Sequence, residues 1–291
     1  MKIAILLTVY NRVEKTIKCL NSLYQTKESC KDVSIDIFIT NDGSTDTTED
    51  DIKRLFPQDN IYLLKGSGDL FWNGGMINSW KAALNNGEYD GYLWLNNDTV
   101  VLPNIWDEIK EADLYSRLHF GQSGIYVGTT CDKEKTKMTY GGFNYITKWT
   151  LSEQFLYPNN EFQNCQCAHG NVLYVSHNAV EKQGIIYDKY LHAGGDHDYT
   201  YRAYKQGLPL FVLRDFVGIC EKDHNAENSW EKYSKMNLRN RIKYLNSPLG
   251  YNLKNTLLFQ KRCFPYRYLF VLIIGFMKIF FPKSKLIKLN R

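Results

Sequence analysis

Within the first 95 residues, four short apolar runs alternate with stretches of helical period: Ile3–Val9, Ile35–Thr40, Ile61–Leu64 and Tyr92–Leu95. This alternation restricts the fold more than any other feature. A run without polar alternation predicts a strand covered on both faces, the setting of a parallel sheet between layers of helix. The intervening helices are predicted over Glu14–Tyr24, with Ile17, Leu20, Leu23 and Tyr24 on one face, and over Asp46–Phe56, stopped by Pro57. A third is predicted over about Met76–Asn85, after a glycine-rich turn. Residues 120–165 are rich in Gly, Tyr and Thr with weak periodicity and predict shorter strands and loops. Beyond them Asn171–Val175 reads as a strand, His177–Gln183 as a short helix, Asp198–Gln206 as a helix ended by Gly207, and Leu210–Val217 as a last strand. From Asn228 the pattern is helical and basic, and no internal repeat points to a solenoid.

The charge is divided along the chain. Of 36 Lys and Arg, 14 fall in residues 232–291, where no acid occurs; the remaining 22 face all 31 Asp and Glu in the body. An acidic body with a cationic tail predicts two jobs, and such a tail suits nucleic acid or an anionic membrane surface. Tyr268–Met277, bracketed by Arg267 and Lys278, is ten residues of apolar sequence, short of the ~20 that cross a bilayer as a helix. Its basic flanks predict an interfacial helix; a core helix of a small C-terminal bundle is the other reading.

Several classes of function are set aside by what the chain lacks. There is no G-x-x-x-x-G-K-[ST] loop to cradle phosphates, and Gly66-Ser67-Gly68 misses the third glycine of a dinucleotide fingerprint. Cys165-Gln166-Cys167-Ala168-His169 has C-x-C rather than C-x-x-C spacing, with no second pair to complete a zinc site. Seven scattered cysteines make no disulfide framework, and Met1-Lys2 leads directly into Ile3–Leu7 without the long apolar region of a secretory signal. A cytoplasmic location is expected.

Polar clusters stand where the predicted strands end, which is where open parallel sheets bind ligands. They are Thr8-Val9-Tyr10-Asn11-Arg12, then Asn41-Asp42-Gly43-Ser44-Thr45-Asp46, then Asn96-Asn97-Asp98-Thr99. Alone, each resembles a turn or an N-cap; three in register argue for one site.

With the later Gly194-Gly195-Asp196-His197-Asp198-Tyr199-Thr200-Tyr201-Arg202, these motifs resemble the family 2 glycosyltransferases over about residues 1–225. Gly68-Asp69-Leu70-Phe71-Trp72-Asn73-Gly74-Gly75 is similar to the bacterial rhamnosyltransferase-like branch that builds surface polysaccharides. The resemblance implies a GT-A fold: an α/β, Rossmann-like, mostly parallel sheet flanked by helices, here followed by the basic helical extension. It implies a catalytic domain over 1–227, with a nucleotide-sugar part at about 1–100 and an acceptor part at about 101–227; the basic stretch 228–291, acid-free after Glu231 and with its apolar run, is expected to be a membrane-associating extension. It implies an inverting transfer of a sugar from a UDP-sugar or dTDP-rhamnose to a glycan or lipid-linked acceptor, on the inner face of the cell membrane.

The resemblance also implies roles. Thr8, Tyr10, Asn11 and Arg12 would line the donor side, with Asp42 accepting from the base N–H. Trp72, Asn73 and Gly74 would form a sugar-facing loop with Gly75, and Asn97 would also meet the donor. Asn96-Asn97-Asp98 takes the place of the D-x-D motif, so Asp98 is its carboxylate for Mg²⁺ or Mn²⁺, and His224 stands where a later ligand is often supplied. Asp196 would be the general base, with Asp198 as the second choice. His169, Asp198 and Arg239 fall on the acceptor side. His192 and His197 read as surface or loop histidines.

Two other classes stay open at this level. A sugar nucleotidyltransferase would need a basic, triphosphate-gripping loop near the first strand, where only Arg12 offers itself. A nucleic-acid-binding protein would use the basic tail, but leaves the strand-end acids unexplained, so no nucleic-acid partner is expected.

Overall fold

Alternate residues of one central strand feed two separate cores. In β1 (Lys2–Val9), Ile3, Ile5, Leu7 and Val9 point to one face of the sheet, and Ala4 and Leu6 to the other. The first face is covered by α1 (Val13–Glu28) through Cys19, Leu20 and Leu23. β1 pairs in parallel with β2 (Ser34–Asn41), which is followed by α2 (Thr48–Leu55) and pairs in parallel with β3 (Ile61–Lys65). The second face is covered by α3 (Phe71–Asn86) through Met76, Ile77 and Trp80. The computed structural model describes residues 1–57, 60–222 and 226–282.

On its other side β1 pairs in parallel with β4 (Gly91–Leu95). A short β5 (Val100–Val101) leads into α4 (Ile105–Phe120), which joins α1 on the first face through Ile105, Trp106 and Ile109. Then come β6 (Ile125–Cys131), β7 (Met138–Tyr140), β8 (Gly142–Tyr145), β9 (Glu153–Phe155), β10 (Gln163–Asn164) and β11 (Cys167–Ala168). They are followed by β12 (Val172–Ser176), α5 (His177–Gln183), α6 (Gly195–Lys205) and β13 (Leu210–Ile219). The main sheet runs β10-β13-β6-β12-β4-β1-β2-β3, while β11, β8 and β9 form a small antiparallel sheet of their own. β12 is antiparallel to both β4 and β6, and β13 is parallel to β6. The carboxyl ends of β1, β2, β4, β6 and β13 therefore share one edge.

Two elements start earlier than the sequence predicts. α3 begins at Phe71, so Trp72, Asn73, Gly74 and Gly75 are helical and not a loop. The glycines are admitted by packing: a Cβ on Gly75 would overlap the Thr8 side chain, so its absence lets α3 lie close against β1. α6 begins at Gly195, which puts Asp196 in its first turn.

The basic extension folds as α7 (Ala226–Lys235), α8 (Leu238–Asn246), α9 (Leu253–Cys263) and α10 (Tyr268–Phe280). It is joined to the body. Arg262 of α9 pairs with Asp198 of α6 at 2.7 Å, and Asn255 donates to the Ala193 carbonyl at 3.0 Å. Among the described residues no helix is long and apolar enough to cross a membrane.

Candidate active site at the carboxyl ends of the strands

A cavity of about 760 Å³ opens at the shared strand edge. Its donor-side wall comes from the loops after β1, β2 and β4, and these loops are tied to one another. Asn11 takes a left-handed backbone (φ 57°), which asparagine tolerates, and its Oδ1 accepts from Thr45 N at 2.8 Å. Asn11 N in turn donates to Ser44 Oγ at 2.8 Å. Its side chain thus clamps the first two loops together, and Asn11 is absent from the cavity lining, against the expected donor contact. Thr8 and the exposed Tyr10 do line it.

Asp42 is buried and holds the next turn. Oδ1 accepts from Gly68 N and Oδ2 from Phe71 N, each at 2.8 Å, which satisfies backbone donors ahead of and at the start of α3. Its edge still faces the cavity. Trp72 projects from the first turn of α3, with Nε1 donating to Asn96 Oδ1 at 2.8 Å and the ring seated where a Cβ on Gly170 would meet it at 2.8 Å.

These contacts decide what the Asn96-Asn97-Asp98 motif offers. Asn96 is spent on Trp72, and Asn97 Nδ2 donates to Thr16 Oγ1 at 2.9 Å, although both residues border the cavity. Asp98 stands between Arg12 Nη1, 3.2 Å from Oδ2, and the Cys220 thiol, 3.6 Å from Oδ1. Burial, and then the Asp98 charge, push the Cys220 thiol up to about 12, so beside Asp98 it stands as a protonated thiol. Among the described residues no group of three His, Cys, Asp or Glu side chains forms a metal cage. One carboxylate on a cavity of this size nevertheless fits a hard cation shared with a substrate's phosphates, which is how Mg²⁺ is commonly held. His224 lies outside the described residues.

The opposite wall is built on α6. Gly194, at φ 91°, turns the chain into the helix, and Asp196 faces the cavity from the first turn. Gly170 N donates to Asp196 Oδ2 at 3.0 Å and His197 N to Oδ1 at 2.9 Å, which fixes the carboxylate. His169 sits beside it, its ring stacked on Phe155 (5.8 Å, 7°) and 5.3 Å from the ring of His197. Burial first, then the His197 charge, lower His169 to about 4, so it is neutral near pH 7.

Four further expected contacts are corrected. Asp198 has no exposed surface; it is held by Arg202 Nε at 2.9 Å and Arg262 Nε at 2.7 Å, so it can serve neither as base nor as an acceptor contact. Asn73 is equally buried and gives Nδ2 to the carbonyls of Tyr187 and Tyr190, at 3.1 and 3.0 Å. Gly74 packs on Leu70, away from the cavity. Arg239 is exposed on α8 and does not line the cavity either. His192 lies in the loop before α6, as expected, while His197 is helical, and both border the cavity. The lining also takes in Tyr140, Glu221 and Leu249, which no motif announced; Leu249 comes from the basic extension, which thus reaches the cavity through this residue and not through the expected Arg239.

A mostly parallel sheet with helices on both faces and its cavity at the strand ends is the GT-A arrangement, and solved structures similar to this chain have it. The chain superposes on S. aureus TarS 1–349 with a TM-score of 0.51, at 15% identity over 91% of this chain and 72% of that one. For TarS 1–349 in complex with UDP-GlcNAc the values are 0.54, 14%, 96% and 82%. For the mannosyltransferase PcManGT from Pyrobaculum calidifontis, in complex with GDP-Man and Mn²⁺, they are 0.54, 12%, 97% and 88%. Identities this low speak for the fold alone. No curated protein matches the chain in sequence. Residues 4–182 match the model of the family described as glycosyl transferase family 2, and the chain belongs to that family.

Proposed function

We propose that this glycosyltransferase moves a sugar, with inversion, from a nucleoside-diphosphate donor to a glycan or lipid-linked acceptor in bacterial surface-polysaccharide assembly. A UDP-sugar or dTDP-rhamnose is the donor we favour, the second because of the Gly68–Gly75 likeness to the rhamnosyltransferase-like branch. That TarS is described with UDP-GlcNAc and PcManGT with GDP-Man and Mn²⁺ supports a donor of this class and a divalent cation.

One observation carries the reading: Asp98 and Asp196 reach the same cavity from β4 and from α6. Asp98 would hold Mg²⁺ or Mn²⁺ together with the donor phosphates, with His224 as a second ligand on sequence grounds; the cation, when bound, neutralises the charge of the leaving diphosphate. Arg12, beside Asp98, keeps that carboxylate oriented and adds positive charge next to the same phosphates. Asp196, pinned by two backbone N–H groups, takes the proton of the acceptor hydroxyl as it attacks. Trp72 offers an apolar wall for a sugar ring in the same cavity.

The test is a nucleotide-sugar turnover screen with and without Mn²⁺ on wild type, Asp98→Ala and Asp196→Ala. Asp196→Ala is expected to lower kcat by about 10²–10⁴-fold with donor KM nearly unchanged. Asp98→Ala is expected to raise donor KM and to remove the response to Mn²⁺. Unchanged turnover in both variants overturns the assignment.

A further inference from the structure

Helix α10 wears its apolar side outward. Leu269, Ile273, Phe276 and Phe280 recur at i, i+4, i+7 and i+11, form one stripe, and are 69%, 57%, 53% and 58% exposed. Phe270 and Phe281 extend the stripe and are 48% and 64% exposed. The two cations of the segment turn inward. Arg267 is buried and gives Nη1 to Gln260 Oε1 at 3.1 Å; Lys278 is buried with Nζ 3.5 Å from the centre of the Tyr251 ring. A helix facing water keeps charged heads outside and its apolar stripe against the core. The reverse arrangement here calls for an apolar phase outside.

A segment distant in sequence continues the same surface. In the loop between β8 and β9, Ile146 and Trp149 are 64% and 69% exposed. The Trp149 ring lies 5.1 Å from that of Tyr266, whose hydroxyl donates to the Lys148 carbonyl at 2.8 Å. Tyr266 stands just before α10, so the loop and the stripe adjoin. Trp and Tyr are the side chains that settle at the headgroup level of a bilayer.

We infer that the outer stripe of α10 and the Trp149 loop together dock the enzyme on an anionic leaflet. Charge selects this occupant over a second copy of the chain. Residues 232–291 carry 14 Lys and Arg and no acid; Arg262 is paired with Asp198, Lys235 with Glu231, and Arg267 and Lys278 are buried, but the other cations find no acid within this segment, so two copies meeting here would repel, whereas anionic headgroups supply countercharge. At 13 residues α10 is about 20 Å long, short of the ~30 Å hydrocarbon layer, and lies along the interface. Leu249, 70% exposed and part of the cavity wall, belongs to the same helical unit. The unit that docks thus also contributes to the cavity wall, which suits an acceptor carried by the leaflet; this deepens, and rests on, the reading of a lipid-linked acceptor.

The test is flotation of the full chain with phosphatidylcholine vesicles, with and without phosphatidylglycerol, beside sedimentation without lipid. The variants are Leu269→Ser/Ile273→Ser/Phe276→Ser and, separately, Trp149→Ala. Wild type is expected to float with the anionic vesicles and less so at high salt; the triple variant is expected to lose about ten-fold or more in partitioning, and Trp149→Ala a smaller factor. Lipid-free donor turnover is expected to match wild type in both, which shows that the fold is intact. Equal flotation of wild type and triple variant overturns the proposal, as does a wild type that ignores anionic vesicles. A lipid-free dimer that the triple variant converts to monomer, without flotation of wild type, would assign the face to a second copy. Flotation without any nucleotide-sugar turnover would defeat the transferase reading while leaving the docking face in place.

Discussion

Arg262 on α9 places Nε 2.7 Å from Oδ1 of Asp198 on α6, a carboxylate with no exposed surface. Arg202 holds Oδ2 of the same group at 2.9 Å, and the Arg262 guanidinium also lies 3.8 Å from the centre of the Tyr187 ring. The basic extension is therefore fastened to the helix that presents Asp196. Removing one partner of a buried ion pair leaves an uncompensated charge, at about 3–5 kcal/mol, and Arg202 remains to offset part of it. Arg262→Met is expected to cost about 3 kcal/mol in urea unfolding. Combined with Asp198→Asn, the loss should fall well short of the sum of the two single changes. Strict additivity would show that the contact is incidental.

This fastening also marks the limit of what the sequence discloses. The four parallel strands at the start were legible because each is a continuous apolar run, and the strand-end clusters were legible because turns and ligand loops draw on the same small polar residues. The early start of α3 was not legible: Gly74-Gly75 reads as a loop, and the group that steadies the helix start is Asp42, from another element. Helix α4 at Ile105–Phe120 stood outside the elements expected from the pattern, and the seven-residue β6 lies in a stretch of weak periodicity. Asp198 fits both a catalytic motif and a buried ion pair, and only the arrival of Arg262, 64 residues later, separates the two.

Gly195 gives a second prediction. A Cβ there would overlap Asn73 Oδ1, and Asn73 cannot withdraw because its Nδ2 is anchored to two carbonyls in a fully buried site. Gly195→Ala is expected to cost about 2–3 kcal/mol through overpacking and to displace the first turn of α6, lowering kcat through Asp196. Asn73→Ala opens the space, so adding it to Gly195→Ala should restore part of kcat. Thermal unfolding and turnover of the two single variants and the double variant check this. A double variant worse than both singles would refute the steric account.

Asp42 gives a third. Its two oxygens each accept one backbone N–H, from Gly68 and from Phe71. Asn in its place has one acceptor oxygen and turns an N–H₂ toward a donor, leaving one backbone N–H unsatisfied. Asp42→Asn is expected to cost about 1–3 kcal/mol in denaturant unfolding. It should also loosen the turn that carries Trp72, raising donor KM more than it lowers kcat. A stability equal to wild type would mean that the carboxylate serves the ligand and not the turn.

His169 sets the acid side of the stability profile. Burial and the His197 charge bring it down to about 4 from an ordinary 6.5, so between those values the unfolded chain binds a proton that the folded chain does not. Stability is therefore complete above about pH 6.5 and is lost as the pH falls toward 4. From this group alone the loss between about pH 7 and pH 5 is up to about 2 kcal/mol. His169→Asn removes the Phe155 stacking at every pH alike, so it lowers the whole profile, and the titration disappears from its slope. Urea midpoints at the two pH values are expected to differ less in the variant than in wild type by that amount. Parallel profiles would show that His169 takes up its proton without unfolding the site, and would remove burial as the cause of its neutrality.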